Sequence, residues 1–300
     1  SRGFMRKCFI CERDAFVCAR ENNHSTQELI EHMSNQSKSY FRQLVIKKLD
    51  ESMEMELELD PKFGLVTPVT QGSHKDMDAA LMRNAKDSIL PFFEQMFDQG
   101  WEQDDIRLIF KSIRNIGLKA EEDMFKTTHG VNAYKGLIFN MGLIVSALAY
   151  VMNHHLPFQH LFGIIKEMTK PLEEDFVKEY NSFGMNAYKS YGFKGARGEA
   201  MNGFITVVHA LEHLEDFTKE SLLHTLIYLI AYSEDTVLLK RAGSLEMYRE
   251  VKSMFVKSIY TGFADIDDLN TYCLKNRLSF GGSADLLVAT IFIKKTSELY

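Results

Sequence analysis

Proline is scarce in this chain, with 5 residues in 300, and only 18 are glycine. So few breakers leave room for long helices and argue against a loop-rich scaffold. Tryptophan occurs once and cysteine four times, at Cys8, Cys11, Cys18 and Cys273. Four thiols, three of them bunched at the front, do not make a disulfide framework; they read as reduced thiols or metal ligands. Basic charge is lacking as well: a net charge of −6 and a pI near 6.0 argue against a nucleic-acid binder. An anionic small molecule is compatible with that balance if Lys and Arg gather locally or a metal ion bridges. The longest apolar run, Leu137 to Met152, is interrupted by Asn140 and is short for a bilayer span, and no leader segment stands out. No membrane is expected, and the cytoplasm is the expected location. Missing too are a Walker A loop, a kinase loop and a Gly-x-Ser-x-Gly elbow, which removes the common nucleotide and hydrolase folds. Nothing reads as strand beyond Leu65–Val69, which runs into a turn.

What is present is helical pattern. A hydrophobic fraction of 45% and a charged fraction of 25% are those of a globular domain, and a chain of this size can bury roughly three quarters of its unfolded surface. Ser25 opens one amphipathic helix and a second is expected from about Gln36 to Leu59. Pro91 predicts a kink or a new start, with Phe92, Phe93, Met96 and Phe97 in the core. Asp105 to Phe125 reads as helix with a break at Gly117, and Ser221 to Tyr232 as a buried helix. The stretch 133–153 is apolar nearly all round and should run through the centre. The expected architecture is all-α: one helical-bundle-like domain over 26–300, with buried central helices and Gly-containing segments that each feed a helix N-terminus.

Residues 1–25 differ from the rest and are expected to be a separate tail or linker. Cys8-x-x-Cys11, then Cys18 and His24, has the composition of a Cys₃His zinc site; the alternative is a small loop with buried thiols.

The chemistry gathers in the irregular segments. In Gly72-Ser73-His74-Lys75-Asp76-Met77-Asp78, Ser73 and Asp76 read as a capping box that starts a helix at His74. That would set His74, Lys75 and backbone N–H groups at a positive helix end, with Asp78 on the same side. Asn132 is expected to cap the 133–153 helix, with Lys135 in its first turn. Gly195-Ala196-Arg197-Gly198-Glu199 could let backbone and guanidinium approach phosphates. Asp235-Thr236 precedes Arg241, and Ser283 is expected to cap the terminal helix beside Asp285. Glu121 and Glu122 are adjacent, so at most one points into a given pocket. Each segment pairs a cation or an N–H cluster with a carboxylate, which suits a polyphosphate substrate and Mg²⁺ held by one or two carboxylates.

Read together, these segments resemble the triphosphoribosyl-dephospho-CoA synthases. The matching pieces, in order, are Gly64-Leu65-Val66, the 72–78 stretch, Gly130-Val131-Asn132 with Lys135-Gly136, residues 195–200, Asp235-Thr236 with Arg241, and Gly281-Gly282-Ser283-Ala284-Asp285-Leu286-Leu287. The front, Arg6-Lys7-Cys8-x-x-Cys11 with Val17-Cys18-Ala19-Arg20 and His24-Ser25, is similar to the tail of the apo-citrate-lyase phosphoribosyl-dephospho-CoA transferases. The chain thus looks like the synthase part of a fused transferase–synthase.

The resemblance implies a glycosyl transfer between two small-molecule substrates, ATP and 3′-dephospho-CoA. The 2′-hydroxyl of dephospho-CoA attacks C1′ of the ATP ribose, and adenine leaves. The product is the precursor of the citrate lyase prosthetic group, so the transferase domain or the acyl carrier protein is the expected downstream partner. On this reading His74, Lys75, Lys135, Arg197 and Arg241 hold phosphates, and Asp78 and Glu122 hold Mg²⁺. Asp78, Glu199 and Asp235 are the candidate catalytic carboxylates; Ser73, Asp76, Asn132, Ser283 and Asp285 serve as caps and supports. Service to malonate decarboxylase, or a non-catalytic nucleotide-binding module, are the alternatives.

Overall fold

The computed structural model describes residues 6–176 and 183–300. Among them there is no strand, only isolated bridges at Lys7–Asp14 and Thr67–Thr70, so Leu65–Val69 ends in a turn and not in a sheet. The chain forms two compact units, Ser1–Leu44 and Val45–Tyr300. The division falls between Leu44 and Val45, where the sequence had suggested residue 25.

In the first unit, α1 (Ala15–Arg20) follows a tight turn and is capped by Asp14, whose Oδ1 accepts from the Phe16 and Val17 N–H groups. Next comes α2 (Thr26–Glu58), one helix of 33 residues where two were expected. Ser34, Asn35 and Ser37 are weak helix formers, but no Gly or Pro interrupts the run, and each costs only tenths of a kcal/mol, ~0.5 at most, relative to alanine.

The second unit continues with α3 (Ala79–Glu102), α4 (Ile106–Thr127), α5 (Lys135–Asn153), α6 (Leu161–Thr169), α7 (Leu172–Asp175), α8 (Phe183–Tyr191), α9 (Gly195–Met201) and α10 (Ile205–Ala210). Then follow α11 (Lys219–Tyr232), α12 (Thr236–Ala242), α13 (Leu245–Tyr260), α14 (Ile266–Lys275) and α15 (Gly281–Ser297). Pro91 does not end α3, which continues past it to Glu102. Ile89, Phe93, Met96 and Phe97 are buried on either side of the proline, and their packing outweighs one missing hydrogen bond. Gly117 likewise sits inside an unbroken α4, against Ile138 and Met96.

Helix α5 is the axis. It packs against α3, α4, α6, α9 and α15, and Leu137 to Met152 are buried almost throughout. It is long and apolar enough to cross a bilayer, yet it is surrounded by protein. α3 crosses α5 at Gly100, where any Cβ would collide with the Ser146 carbonyl. Ser146 Oγ donates to the Met96 carbonyl at 2.9 Å, tying the two helices where they touch. α5 and α15 pass through the interior, and the first turns at their N-termini meet where Gly136 abuts Asp285, while Lys135 at the start of α5 is exposed.

Candidate active site

Those N-termini border one cavity of about 300 Å³. Its wall is drawn from residues 62–66, 74–77, 132–136, 195–199, 233–237 and 279–288, with Glu56, Met82 and Asn140. The irregular segments singled out in the sequence therefore meet at one place. Four carboxylates line it: Glu56, Glu199, Glu234 and Asp285. A second cavity of about 200 Å³ shares Lys135 with the first and adds Arg114, Glu121, Asp175 and Arg197.

The 72–78 segment is not a helix. α3 starts at Ala79, and its cap is Asp78, whose Oδ1 accepts from Leu81 N at 2.8 Å. The expected capping box of Ser73 and Asp76 is thus corrected: Ser73 N donates to Gly64 O at 2.9 Å, Ser73 Oγ is buried without a partner, and Asp76 is exposed. The segment is spent on an interlock with Gly64, and the helix begins only at Ala79-Ala80-Leu81, where good helix formers follow an Asp. Lys75, Asp76 and Asp78 are exposed and line neither cavity.

His74 does line the cavity. Its Nδ1 lies 3.2 Å from Arg241 Nη2, and its Nε2 lies 2.9 Å from Ser279 Oγ. Arginine has only donors, so Nδ1 accepts and Nε2–H donates to Ser279. Burial pushes the imidazole below its usual pKa and the Arg241 charge adds to this. Arg241, exposed, also donates to Ser73 O at 3.3 Å and fixes the segment from behind.

Asn132 Oδ1 accepts from Lys135 N at 3.1 Å, but the N-cap position of α5 is held by Tyr134 in place of the expected Asn132, and the helix starts two residues later than predicted. Lys135 Nζ meets Glu121 Oε2 at 2.6 Å. Glu122 is exposed and lines neither cavity, so of the adjacent pair it is Glu121 that faces inward. Arg197 lines the second cavity, its guanidinium over the Phe176 ring.

Asp235 is 1% exposed and binds two helices. Oδ1 caps α12 through Val237 N (2.9 Å) and Leu238 N (3.0 Å); Oδ2 accepts Ser283 N (2.8 Å) and Ser283 Oγ (2.9 Å). Ser283 is therefore not the cap of α15. It stands inside the first turn, and Asp235 satisfies its orphan N–H from 48 residues away. Asp235 lies behind the cavity wall, with both oxygens occupied.

Asp285 is different. No hydrogen bond from the described residues ties it down, and it presses on the first turn of α5, where a Cβ on Gly136 would strike its Oδ2. Burial drives its carboxyl well above the usual range, and the charges of Asp235 and Glu56 add to that. Burial also raises Glu199, against the bonds it accepts from Thr206 N (2.8 Å) and Thr206 Oγ1 (2.9 Å). Glu234 accepts from Lys194 N at 2.8 Å and Gly195 N at 3.2 Å.

Sequence reasoning missed four wall residues, Glu56, Lys62, Tyr134 and Asn140, and also Lys252, which lines neither cavity. Glu56 and Lys62 form an ion pair at 2.8 Å, 4% and 2% exposed. Tyr134 Oη and Asn140 Oδ1 are buried without partners. Lys252 donates to Ser233 O, and burial lowers its ammonium to about 8 despite nearby Asp235 and Glu234. Asn140 carried a signal, as the lone polar residue in an apolar run; Glu56, Lys62 and Lys252 sit in ordinary amphipathic surroundings and carried none.

Residues 44–300 match the family described as CitG, ATP:dephospho-CoA triphosphoribosyl transferase, and residues 3–40 match CitX, apo-citrate lyase phosphoribosyl-dephospho-CoA transferase. The chain is 30% identical to "Protein CitXG" of Leuconostoc mesenteroides subsp. cremoris, over 97% of this chain and 69% of that one. It is 33% identical to a probable 2-(5″-triphosphoribosyl)-3′-dephosphocoenzyme-A synthase of Lactiplantibacillus plantarum, over 81% and 94%. The synthase of that name from Haemophilus ducreyi is 28% identical, over 94% and 98%. No solved structure matches. One cavity collects every segment that the synthase resemblance rests on, and the match runs the length of the unit that holds it: the chain belongs to the ATP:dephospho-CoA triphosphoribosyl transferase family.

Proposed function

We propose that the 300 Å³ cavity is where the 5-triphosphoribosyl group of ATP passes to the 2′-hydroxyl of 3′-dephospho-CoA, with loss of adenine. The observation that carries this reading is the meeting of four carboxylates with the N-termini of α5 and α15 on one cavity. A departing adenine leaves positive charge on the ribose, and carboxylates beside the anomeric carbon stabilise an oxocarbenium-like transition state. The attacking hydroxyl needs a base, worth about 10²–10⁴ in rate. Asp285, free of hydrogen bonds and held against α5, faces the developing charge; Glu199, raised by burial, takes the proton. Asp235 acts as a positioning residue, since its oxygens are already committed.

The triphosphate is held by helix N-termini and Lys135, with Arg197 and Arg114 reaching it from the adjoining cavity. Tyr134 Oη, unpartnered in the wall, makes its hydrogen bond to substrate. Mg²⁺ fits this donor set: Glu56, Asp285 and Asn140 offer hard oxygen ligands, and Mg²⁺ at phosphate sites takes one or two carboxylates beside the phosphates. Asp78 and Glu122, both exposed, are poorly placed for that role. When bound, the ion neutralises triphosphate charge. The match to a citrate lyase transferase over 3–40 favours citrate lyase over malonate decarboxylase as the pathway served, with the transferase or acyl carrier protein downstream. Substrates of this kind suit a cytoplasmic enzyme.

The test is free adenine from ATP, Mg²⁺ and dephospho-CoA. Wild type is expected to release it and Asp285→Asn to lose most of the rate. Adenine no higher than background from the wild-type chain would leave only a nucleotide-binding module.

A further inference from the structure

The first unit holds a second group of chemistry-bearing side chains, separate from the cavity. We propose that Cys8, Cys11, Cys18 and His24 form a structural zinc site of Cys₃His type. Their ligand atoms all lie within 4.8 Å of one another. Cys8 Sγ and Cys18 Sγ are 3.5 Å apart, and Cys11 Sγ and Cys18 Sγ 3.7 Å. Four ligands around zinc at ~2.3 Å Zn–S give tetrahedron edges of about 3.8 Å between sulfurs. A disulfide would bring two sulfurs to about 2.05 Å and leave the third behind. The spacing here suits one shared centre for all three.

Local structure holds the ligands in place. A Lys7–Asp14 bridge closes the turn that carries Cys8 and Cys11, and Ile10 N points at Cys8 Sγ at 3.5 Å. Cys18 rides on α1, and Asn23 N bonds to the Cys18 carbonyl at 3.2 Å, which brings His24 back to the same point. His24 Nε2 is buried with no hydrogen-bond partner. Leaving such an atom unmet costs about 1–3 kcal/mol. Three sulfurs and an imidazole are a soft, closed, four-ligand set, which selects zinc over Mg²⁺ or Ca²⁺ and leaves no open position for catalysis.

The unit also needs a staple. Among its described residues Cys18 is the one hydrophobic side chain that is buried, while Phe9, Phe16, Ile30 and Met33 are more than half exposed. A helix as short as α1, 6 residues, does not hold itself together in water. With so little apolar burial, metal binding supplies the order that a core would.

The full chain, purified reduced and without chelators, is expected to carry about one zinc by elemental analysis. Cobalt(II) added to the stripped protein should give thiolate charge-transfer and tetrahedral d–d bands. Cys18→Ser and His24→Ala should lower zinc to background, whereas Cys273→Ser, a buried thiol in the other unit, should keep it. Hydrogen exchange over residues 6–24 should speed up on zinc removal while α5 stays protected. Wild-type chain from zinc-supplemented cells with only background metal and no cobalt spectrum would overturn the proposal, as would a disulfide between two of the three thiols.

Discussion

Asp78 and Asp235 have the same local task, each closing an irregular segment and capping the helix that follows, yet their surroundings separate them. Asp78 is exposed and gives one oxygen to Leu81 N. Asp235 is enclosed and accepts four bonds from the first turns of two helices, α12 and α15. A cap in water competes with water for its bonds. A buried cap has no substitute, so the same residue type becomes a joint between two helices that both border the cavity. Asp285, one turn along α15, completes the contrast: half-buried but unbonded, it is left for chemistry.

Asp285→Asn should have the largest effect, lowering adenine release by about 10²–10⁴ with thermal stability kept or raised. If activity survives, the division between bonded and unbonded carboxylates fails. Asp235→Ala should come next, at about 3–5 kcal/mol of stability by urea unfolding, because orphan N–H groups at two helix starts lose their acceptor. Asp235→Asn, keeping one acceptor oxygen, should fall between. Lys62→Met should cost a similar ~3–5 kcal/mol by stranding Glu56, and the double change Glu56→Gln with Lys62→Met should recover most of it. Asp78→Ala should cost only about 0.5–2 kcal/mol, Asp78→Asn less, and neither should slow adenine release. A strong activity loss at Asp78 would restore it as a site residue.

The raised carboxyl of Asp285 also predicts a pH dependence. A group protonated more readily in the folded than in the unfolded state contributes stability that is full below its unfolded value, ~3.9, and lost as pH rises through its higher folded value. Wild type should therefore lose stability on going upward from about pH 4 on this account, and Asp285→Asn should remove that part of the slope. Melting temperatures of the two proteins across pH would show whether the curves converge at low pH as expected.

Much of this was readable from the residues. Few breakers and an apolar run with one asparagine specify an all-helical unit around α5, because helical burial follows directly from periodic hydrophobicity. The motif order carries the family, and Cys/His spacing marks the front unit. Other features depended on contacts that spacing does not contain. Helix α3 begins at Ala79 because Ser73 is engaged with Gly64. Glu121 and not Glu122 faces a cavity because α4 turns that side toward α5. Glu56 and Lys62, unremarkable in sequence, become a buried pair only once the 62–66 segment closes over α2. Periodicity says which side of a helix is inside. Which carboxylate is bonded, which is bare and which is in water is decided by where segments far apart in the chain meet.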